Sequence, residues 1–372
     1  MRNVTLLSIN SPHELTGGGH YLRSLIHGYS QISDSIKVIG KLQNDGQIAS
    51  DLPNVEYVCF EKTIFSDVFS RIFLSPSFLL FYLFKILKIV NDSDVIAIHS
   101  SRLGIFALLI SAFYRDKKII VHFDNVESVL LKQRLKVQNG FFKRLLLTYD
   151  LLIVYLNEAL SLKFSSKHSF ITFEDGHYLK VSDPIVIPIC FPNTSEEPQS
   201  DLLDGEKDYI LFTGSFDFEP NILALREILE LSKKLPMLKF VVAGRGLGTI
   251  GLDAPPNVLL INSPSNEEMG SIFSNAKFYL STVSVGSGMK TKVAEALKFS
   301  LPVIAHEHSL IGYDDVIGKC YVKSYSKAYE LTDLILSDPF RDIDSLDIKK
   351  DFESYYTYNS VRIKLKGLLE KL

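Results

Sequence analysis

Residues 277–305 read KFYLSTVSVGSGMKTKVAEALKFSLPVIA. The stretch opens on a short apolar run, KFYLS, and passes through Gly286-Ser287-Gly288. It continues as a helical pattern from about Lys290 and closes on a second apolar run, LPVIA (301–305). Strand, glycine loop, helix and strand in that order make a βαβ unit, whose two strands lie parallel in one sheet. Both runs are nearly continuous in apolar residues rather than alternating, as strands covered on both faces require. The stretch therefore predicts an α/β protein.

The same grammar extends in both directions. Upstream lie YILFTGSF (209–216), a helix from Asn221, LKFVVAG (238–244), NVLLI (257–261) and a helix from Ser265. The first half has its own series: VTLLSIN (4–10), KVIG (37–40), VEYVCF (55–60), VIAIHS (95–100), KIIVHF (118–123), LLIVYL (151–156) and IVIPI (185–189), with helical patterns at 20–30 and 103–112. The polar segment PNTSEEPQSDLLDGEK (192–207) separates the two series and reads as a linker. At 372 residues the chain exceeds what one core usually organises. Two doubly wound domains are expected, 1–190 and 208–355, joined by 191–207 and facing each other across a cleft. A last helix, about 356–372, is expected to return to the first domain. Ligands of such sheets bind beyond the carboxyl ends of the strands.

Composition narrows the function. A net charge of −3 argues against a protein that coats nucleic acid. Three separated cysteines, Cys59, Cys190 and Cys320, give neither a disulfide framework nor a zinc knuckle and suit a reducing cytoplasm. The N-terminus runs directly into a strand and lacks the pattern of a signal peptide. The apolar window IFLSPSFLLFYLF (72–84) is shorter than the roughly 20 residues that span a bilayer. In LLKQRLKVQNGFFKRLLL (130–147), five basic residues interleave with Leu and Phe. That pattern fits a helix lying on an anionic membrane surface, and equally an ordinary helix pair with a solvated basic face.

Three glycine clusters invite phosphate. Gly17-Gly18-Gly19 precedes a helix, where free N–H groups favour an anion, though a tight turn also explains it. Gly246 to Gly251 fits G-x-G-x-x-G, yet Pro255 and Pro256 follow and forbid the helix that a dinucleotide fingerprint must open. The third cluster is Gly288-Met289-Lys290-Thr291-Lys292. It lacks the glycine that precedes the lysine of a Walker A loop, but it sets two lysines at a helix start. Glu295 lies one turn beyond Lys292 on the same side, where a carboxylate can accept two hydroxyl hydrogen bonds, as a ribose offers.

The second half closely resembles glycosyltransferases of the GT-B fold, family 4, through FTGSFDFEPN (212–221), FVVAGRG (240–246), the run 266–276 and GSGMKTKVAEALKFSLPVIA (286–305). The first half is consistent through its glycine loop and HFDNVES (122–128). The resemblance implies a GT-B architecture of two Rossmann-like domains. It implies a retaining, hexosyltransferase-like enzyme moving sugar from a nucleotide-sugar donor to a glycan or lipid-linked glycan in bacterial surface polysaccharide synthesis. Glu295 would hold the ribose, the diphosphate would lie over 289–292, and Gly17–Gly19 would face the diphosphate or the sugar. Ser215 and Arg245 would belong to the donor site, Lys290 would act on the leaving group, and His122 would sit near the reacting sugar.

The chain departs from the family at Ser287, where an earlier glutamate of an E-x7-E pair is usual, and after the first strand of the second half, where Ser215 and Asn221 stand near the usual Arg and Lys. Lys290 and Lys292 would supply that missing charge. His99 also ends a strand and competes with His122. Asp92-Ser93-Asp94 and Asp342-Ile343-Asp344 do not follow a core strand, so no metal or cofactor is expected. The expected partners are the donor, the acceptor and a peripheral contact with the inner face of the plasma membrane. An epimerase of the same fold and a catalytically silent partner protein are the rival readings.

Overall fold

The computed structural model describes residues 2–14, 16–43, 50–192, 207–286 and 288–372. The chain divides into two units, Met1–Phe191 with Tyr358–Leu372, and Pro192–Thr357. Most of the segment expected as a linker, 193–206, lies outside the described residues, as does Ser287.

The first unit runs β1 (Asn3–Ser8), α1 (Gly17–Ser30), β2 (Ser35–Lys41), β3 (Val55–Phe60), α2 (Ile64–Ile72), α3 (Leu83–Val90), β4 (Val95–His99), α4 (Gly104–Phe113), β5 (Lys118–Phe123), α5 (Glu127–Val137), α6 (Phe141–Phe164), β6 (Lys167–Phe170), α7 (Phe173–Tyr178) and β7 (Ile185–Val186). Its seven strands form one sheet in the order β3-β2-β1-β4-β5-β6-β7, every described pairing parallel. All five residues of β4 are buried, which is why its sequence shows no alternation.

One expected strand is a helix. LLIVYL, at 151–156, lies in the middle of the 24-residue α6. A six-residue apolar run has no period that separates strand from helix, and here no glycine or proline interrupts the chain between 141 and 164. The strand that takes its place in the sheet is β6, whose polar sequence KHSF hides it.

The second unit runs β8 (Tyr209–Thr213), α8 (Glu219–Lys234), β9 (Phe240–Gly244), β10 (Val258–Asn262), α9 (Asn266–Ser274), β11 (Ala276–Ser281), α10 (Thr291–Lys298), β12 (Val303–His306), β13 (Val322–Tyr325), α11 (Ala328–Leu336) and α12 (Ser345–Tyr355). Its parallel sheet has the order β10-β9-β8-β11-β12-β13. Ser265 starts α9 with a reciprocal capping box to Glu268. The pair of prolines after Gly251 leaves only a short turn at Leu247–Thr249, so the G-x-G-x-x-G match opens no helix. The last helix, α13 (Tyr358–Glu370), belongs to the first unit and packs on α1 with Val361 and Leu365 against Gly28.

In each sheet the first strand sits beside a strand reached by a crossover, β1 beside β4 and β8 beside β11. The order in which strands are added across the sheet reverses at these two points, where sheets of this kind hold a crevice beyond the carboxyl ends.

Candidate functional site

At the switch point of the second unit, two loops meet the requirement for a ligand crevice. The first leaves β8 at Gly214, whose N–H donates to the Ala243 carbonyl at 3.1 Å. Its Ser215 and Asp217 hold Arg245: the guanidinium donates from Nε to Asp217 Oδ2 at 3.0 Å and from Nη2 to Ser215 Oγ at 3.2 Å. The arginine thereby brings a cation to the position where the sequence has only a serine. Asn221, from the first turns of α8, donates to the Ser215 carbonyl at 2.8 Å and fixes the loop.

The second loop leaves β11 and turns through Gly286 and Gly288, with φ of +107° and +68°. Glycine adopts this left-handed region without a Cβ clash. Met289 is 6% exposed and packs inward, so its contribution to a ligand is its backbone. Lys290 is the N-cap of α10 but gives no side-chain cap. The buried Tyr313 does that work: its hydroxyl donates to the Lys290 carbonyl at 2.6 Å and accepts from the Ala294 N–H at 2.8 Å. The helix start is thus pinned from below, and its first N–H groups, at Thr291 and Lys292, have no hydrogen-bond partner among the described residues.

Two ammonium groups stand over that start. Lys290 Nζ donates to the Gly288 carbonyl at 2.9 Å, within the loop. Lys292 Nζ bridges both carboxylate oxygens of Glu295, at 2.9 and 2.7 Å. The i, i+3 spacing read from sequence therefore makes a real pair, with the glutamate side chain mostly covered and the lysine partly open. His308, which the sequence pattern did not single out, lies close to the same loop. Burial, and then the charge of Lys290, hold its imidazole below its ordinary pKa.

The switch point of the first unit is built differently. Gly19 is required because a Cβ there would come within 1.9 Å of the Glu14 carbonyl oxygen, whereas Gly17 faces open space. Gly18 lies against the Asn10 side chain. Thr16 caps α1 by accepting from the Gly19 N–H at 3.2 Å.

His122 lies in the core of the first unit. Ser8, His99, His122 and Ser169 form one row across the sheet, and α1 covers it. His122 Nε2 is 2.8 Å from the Tyr29 hydroxyl and Nδ1 is 2.7 Å from Ser169 Oγ. Both nitrogens are engaged, the ring is fully buried, and desolvation pushes its pKa down to about 3. The expected placement near a reacting sugar is corrected: this is a neutral core histidine, drawn inward because the row pairs it with a tyrosine and a serine.

His99 sits at the switch point itself. Its Nδ1 is 2.8 Å from Ser8 Oγ and its Nε2 is 3.7 Å from Asp124 Oδ2, with no hydrogen-bond partner on Nε2 among the described residues. It too is fully buried, and desolvation holds its pKa near 3. Desolvation likewise raises the Asp124 carboxyl, against the pull of Arg102. Among the described residues, no cluster of three or more His, Cys, Asp or Glu side chains is arranged to hold a metal ion.

No family model matches the chain. A relative at 22% identity over 287 residues, covering 68% of this chain and 72% of its own, is an uncharacterized 44.6 kDa protein in the cps region of Klebsiella pneumoniae. Solved structures match the whole chain. Sucrose-phosphate synthase from Thermosynechococcus elongatus superposes with a TM-score of 0.71 at 12% identity, covering 100% of this chain and 99% of that one. HepE of Anabaena, in complex with UDP-glucose, gives 0.68 at 12% identity with 100% of both chains covered. The catalytic domain of starch synthase IV from Arabidopsis thaliana, bound to ADP and acarbose, gives 0.66 at 11% identity, covering 99% and 98%. The fold is that of the GT-B glycosyltransferases, two Rossmann-like parallel-sheet units in one chain.

Proposed function

We propose that the protein is a nucleotide-sugar-dependent glycosyltransferase resembling family 4, acting in the synthesis of a bacterial surface polysaccharide. The observation that carries this reading is the arrangement at the start of α10. A glycine loop, two lysines and a partly covered glutamate stand together at the switch point of the second sheet. A nucleoside diphosphate fits their chemistry: the ribose hydroxyls donate to Glu295, and the diphosphate lies against the N–H groups of Thr291 and Lys292. Lys290, Lys292 and Arg245 offset its charge. The UDP-glucose held by HepE supports a nucleotide sugar as the donor, and the cps region that holds the sequence relative supports a surface polysaccharide as the product.

In the reaction the bond between the sugar's anomeric carbon and the diphosphate oxygen breaks, and the diphosphate leaves with the electron pair. The acceptor hydroxyl forms the new bond and passes its proton to the departing phosphate, with retained configuration. Lys290 and the helix start act most strongly as that charge develops, which is electrostatic stabilisation by groups already in place. No divalent cation is needed in this scheme. The acceptor is a glycan or lipid-linked glycan, and the reaction belongs to the cytoplasmic face of the membrane.

The test is a thermal-shift screen over nucleotide sugars, followed by calorimetry with the best nucleoside diphosphate. A ligand at 100 times its Kd stabilises by about 2.7 kcal/mol, which a melting curve resolves. Glu295→Gln is expected to weaken binding about tenfold, as a charged acceptor becomes a neutral one. Lys290→Ala is expected to lower turnover more than affinity, and turnover is expected to persist in EDTA. Absence of binding by every nucleotide sugar would leave the silent-partner reading standing. Product formation without an acceptor, as an isomerised donor, would instead identify an epimerase.

A further inference from the structure

We propose that the first unit docks on an anionic lipid bilayer through α2, the N-terminal half of α6 and a basic pocket beside them. The proposal is independent of the donor reading, because neither the second unit nor a nucleotide enters it.

Two apolar stripes carry the argument. On α2, Ile64, Val68 and Ile72 recur every fourth residue and all point outward, Ile64 being 85% exposed. On α6, Phe141 and Phe142 are 77% and 78% exposed, and Leu145 and Leu146 continue the stripe along the next turn. The helices are joined side by side: the Tyr149 hydroxyl donates to the Arg71 carbonyl at 2.8 Å, and Arg71 is ion-paired with Asp150. Scattered exposed apolar residues are ordinary, but a patch of aromatic and aliphatic side chains on two adjoining helices is not.

Charge names the occupant. Residues 128–149 contain five Lys and Arg and no Asp or Glu. Lys132, Lys136 and Arg144 ring a pocket of about 440 Å³ whose apolar wall is Val129, Leu135 and Tyr178. Lys132 Nζ is held there by the Tyr178 hydroxyl at 2.8 Å. Basic groups around apolar side chains match a surface of anionic headgroups above acyl chains. A second copy of this chain seated on the same patch would bring five positive charges against five more.

The helix lies on the bilayer and does not cross it. By length and composition alone α6 could span a membrane. Its C-terminal half, however, is built into the domain. Asn157 Oδ1 accepts from the Ile105 N–H at 2.9 Å, and Glu158 Oε1 accepts from the Ser128 N–H at 3.0 Å. Moving those groups into hydrocarbon would strand them unpaired. The N-terminal half, where the exposed apolar stripe is densest, is the part presented to lipid.

The experiment is co-sedimentation of the full chain with vesicles of phosphatidylcholine alone and of equimolar phosphatidylcholine and phosphatidylglycerol, at low and high salt. Binding is expected to the anionic vesicles and to fall steeply with salt. Lys143→Glu/Arg144→Glu is expected to lower partitioning at least about tenfold, and Phe141→Ser/Phe142→Ser to do so even at low salt. All four side chains are exposed, so melting temperatures should stay within a few degrees of the parent, which separates lost docking from lost folding. The proposal is overturned by equal absence of binding to both vesicles. It is overturned equally by variants that bind like the parent, or by lipid-free sedimentation showing a dimer that the same variants dissociate.

Discussion

His122 shows how one residue can be read correctly as important and wrongly as reactive. Its position at the end of β5 and its neighbours in HFDNVES suggested a ligand contact, but the row Ser8-His99-His122-Ser169 turns it into a buried polar tie under α1. His122→Asn retains at most part of that tie. The variant is expected to lose about 2–4 kcal/mol at pH 7, measured by urea unfolding, from two compromised buried hydrogen bonds. The pH dependence has a definite sign. With the folded pKa near 3 and the unfolded one near 6.5, the unfolded chain takes up a proton as pH falls below 6.5 while the native state does not. Stability contributed by the neutral ring is complete above that value and is lost toward pH 3, at about 1.4 kcal/mol per pH unit. The parent should therefore lose stability between pH 6 and 4.5 more steeply than His122→Asn. The raised carboxyls of Asp124, Glu127 and Glu158 act in the opposite direction but are common to both proteins. An unchanged slope would show that His122 is not the neutral group described. In the second unit, the Lys292–Glu295 pair is legible in the sequence because its two groups lie within one helical turn. Tyr313 was not, because its contact with Lys290 spans most of a βα unit and tyrosine carries no signature of a cap.

Elements followed from apolar patterning wherever both sheet faces are covered. The strands at β1 to β5 and β8 to β12 all fall on apolar runs of the sequence. Two of the departures, at 151–156 and at β6, have one cause, while β13 is a third, a strand that the apolar runs do not mark. Apolarity makes 151–156 read as a strand and its lack hides β6, yet KHSF forms a strand in which Ser169 completes the sheet's polar row beside His122. At α10 the element depends on a residue outside itself. Tyr313→Phe removes both the acceptor for the Ala294 N–H and the donor to the Lys290 carbonyl. A loss of about 1–3 kcal/mol is expected, together with weaker nucleoside diphosphate binding, since the first turn is no longer held. A variant that unfolds at lower urea yet binds the nucleotide as tightly as the parent would separate the tyrosine from the site.

The chain passes between its two units twice. After the second unit is complete, α13 returns to the first, where the Arg2 guanidinium donates to the Leu369 carbonyl at 3.0 Å and the Tyr358 ring stacks on His27 at 4.3 Å. Val361, Leu365, Leu368 and Leu369 are buried there. Each contributes about 1.5–3 kcal/mol, so together they rival the whole margin of a typical domain, 5–15 kcal/mol. A chain ending at residue 357 is expected to lose its first unit to limited proteolysis while a fragment near 207–357 survives. Equal survival of both units would show that the helix is dispensable. The feature also fixes an order of biosynthesis. Every residue of the second unit leaves the ribosome before Tyr358–Leu372 do, so the N-terminal unit, begun first, is closed after the second is made. Until residues 358–372 have emerged, the α1 surface that α13 will cover stays open to chaperones and proteases. The first unit of a nascent chain is thereby held short of its finished state until α13 has been made.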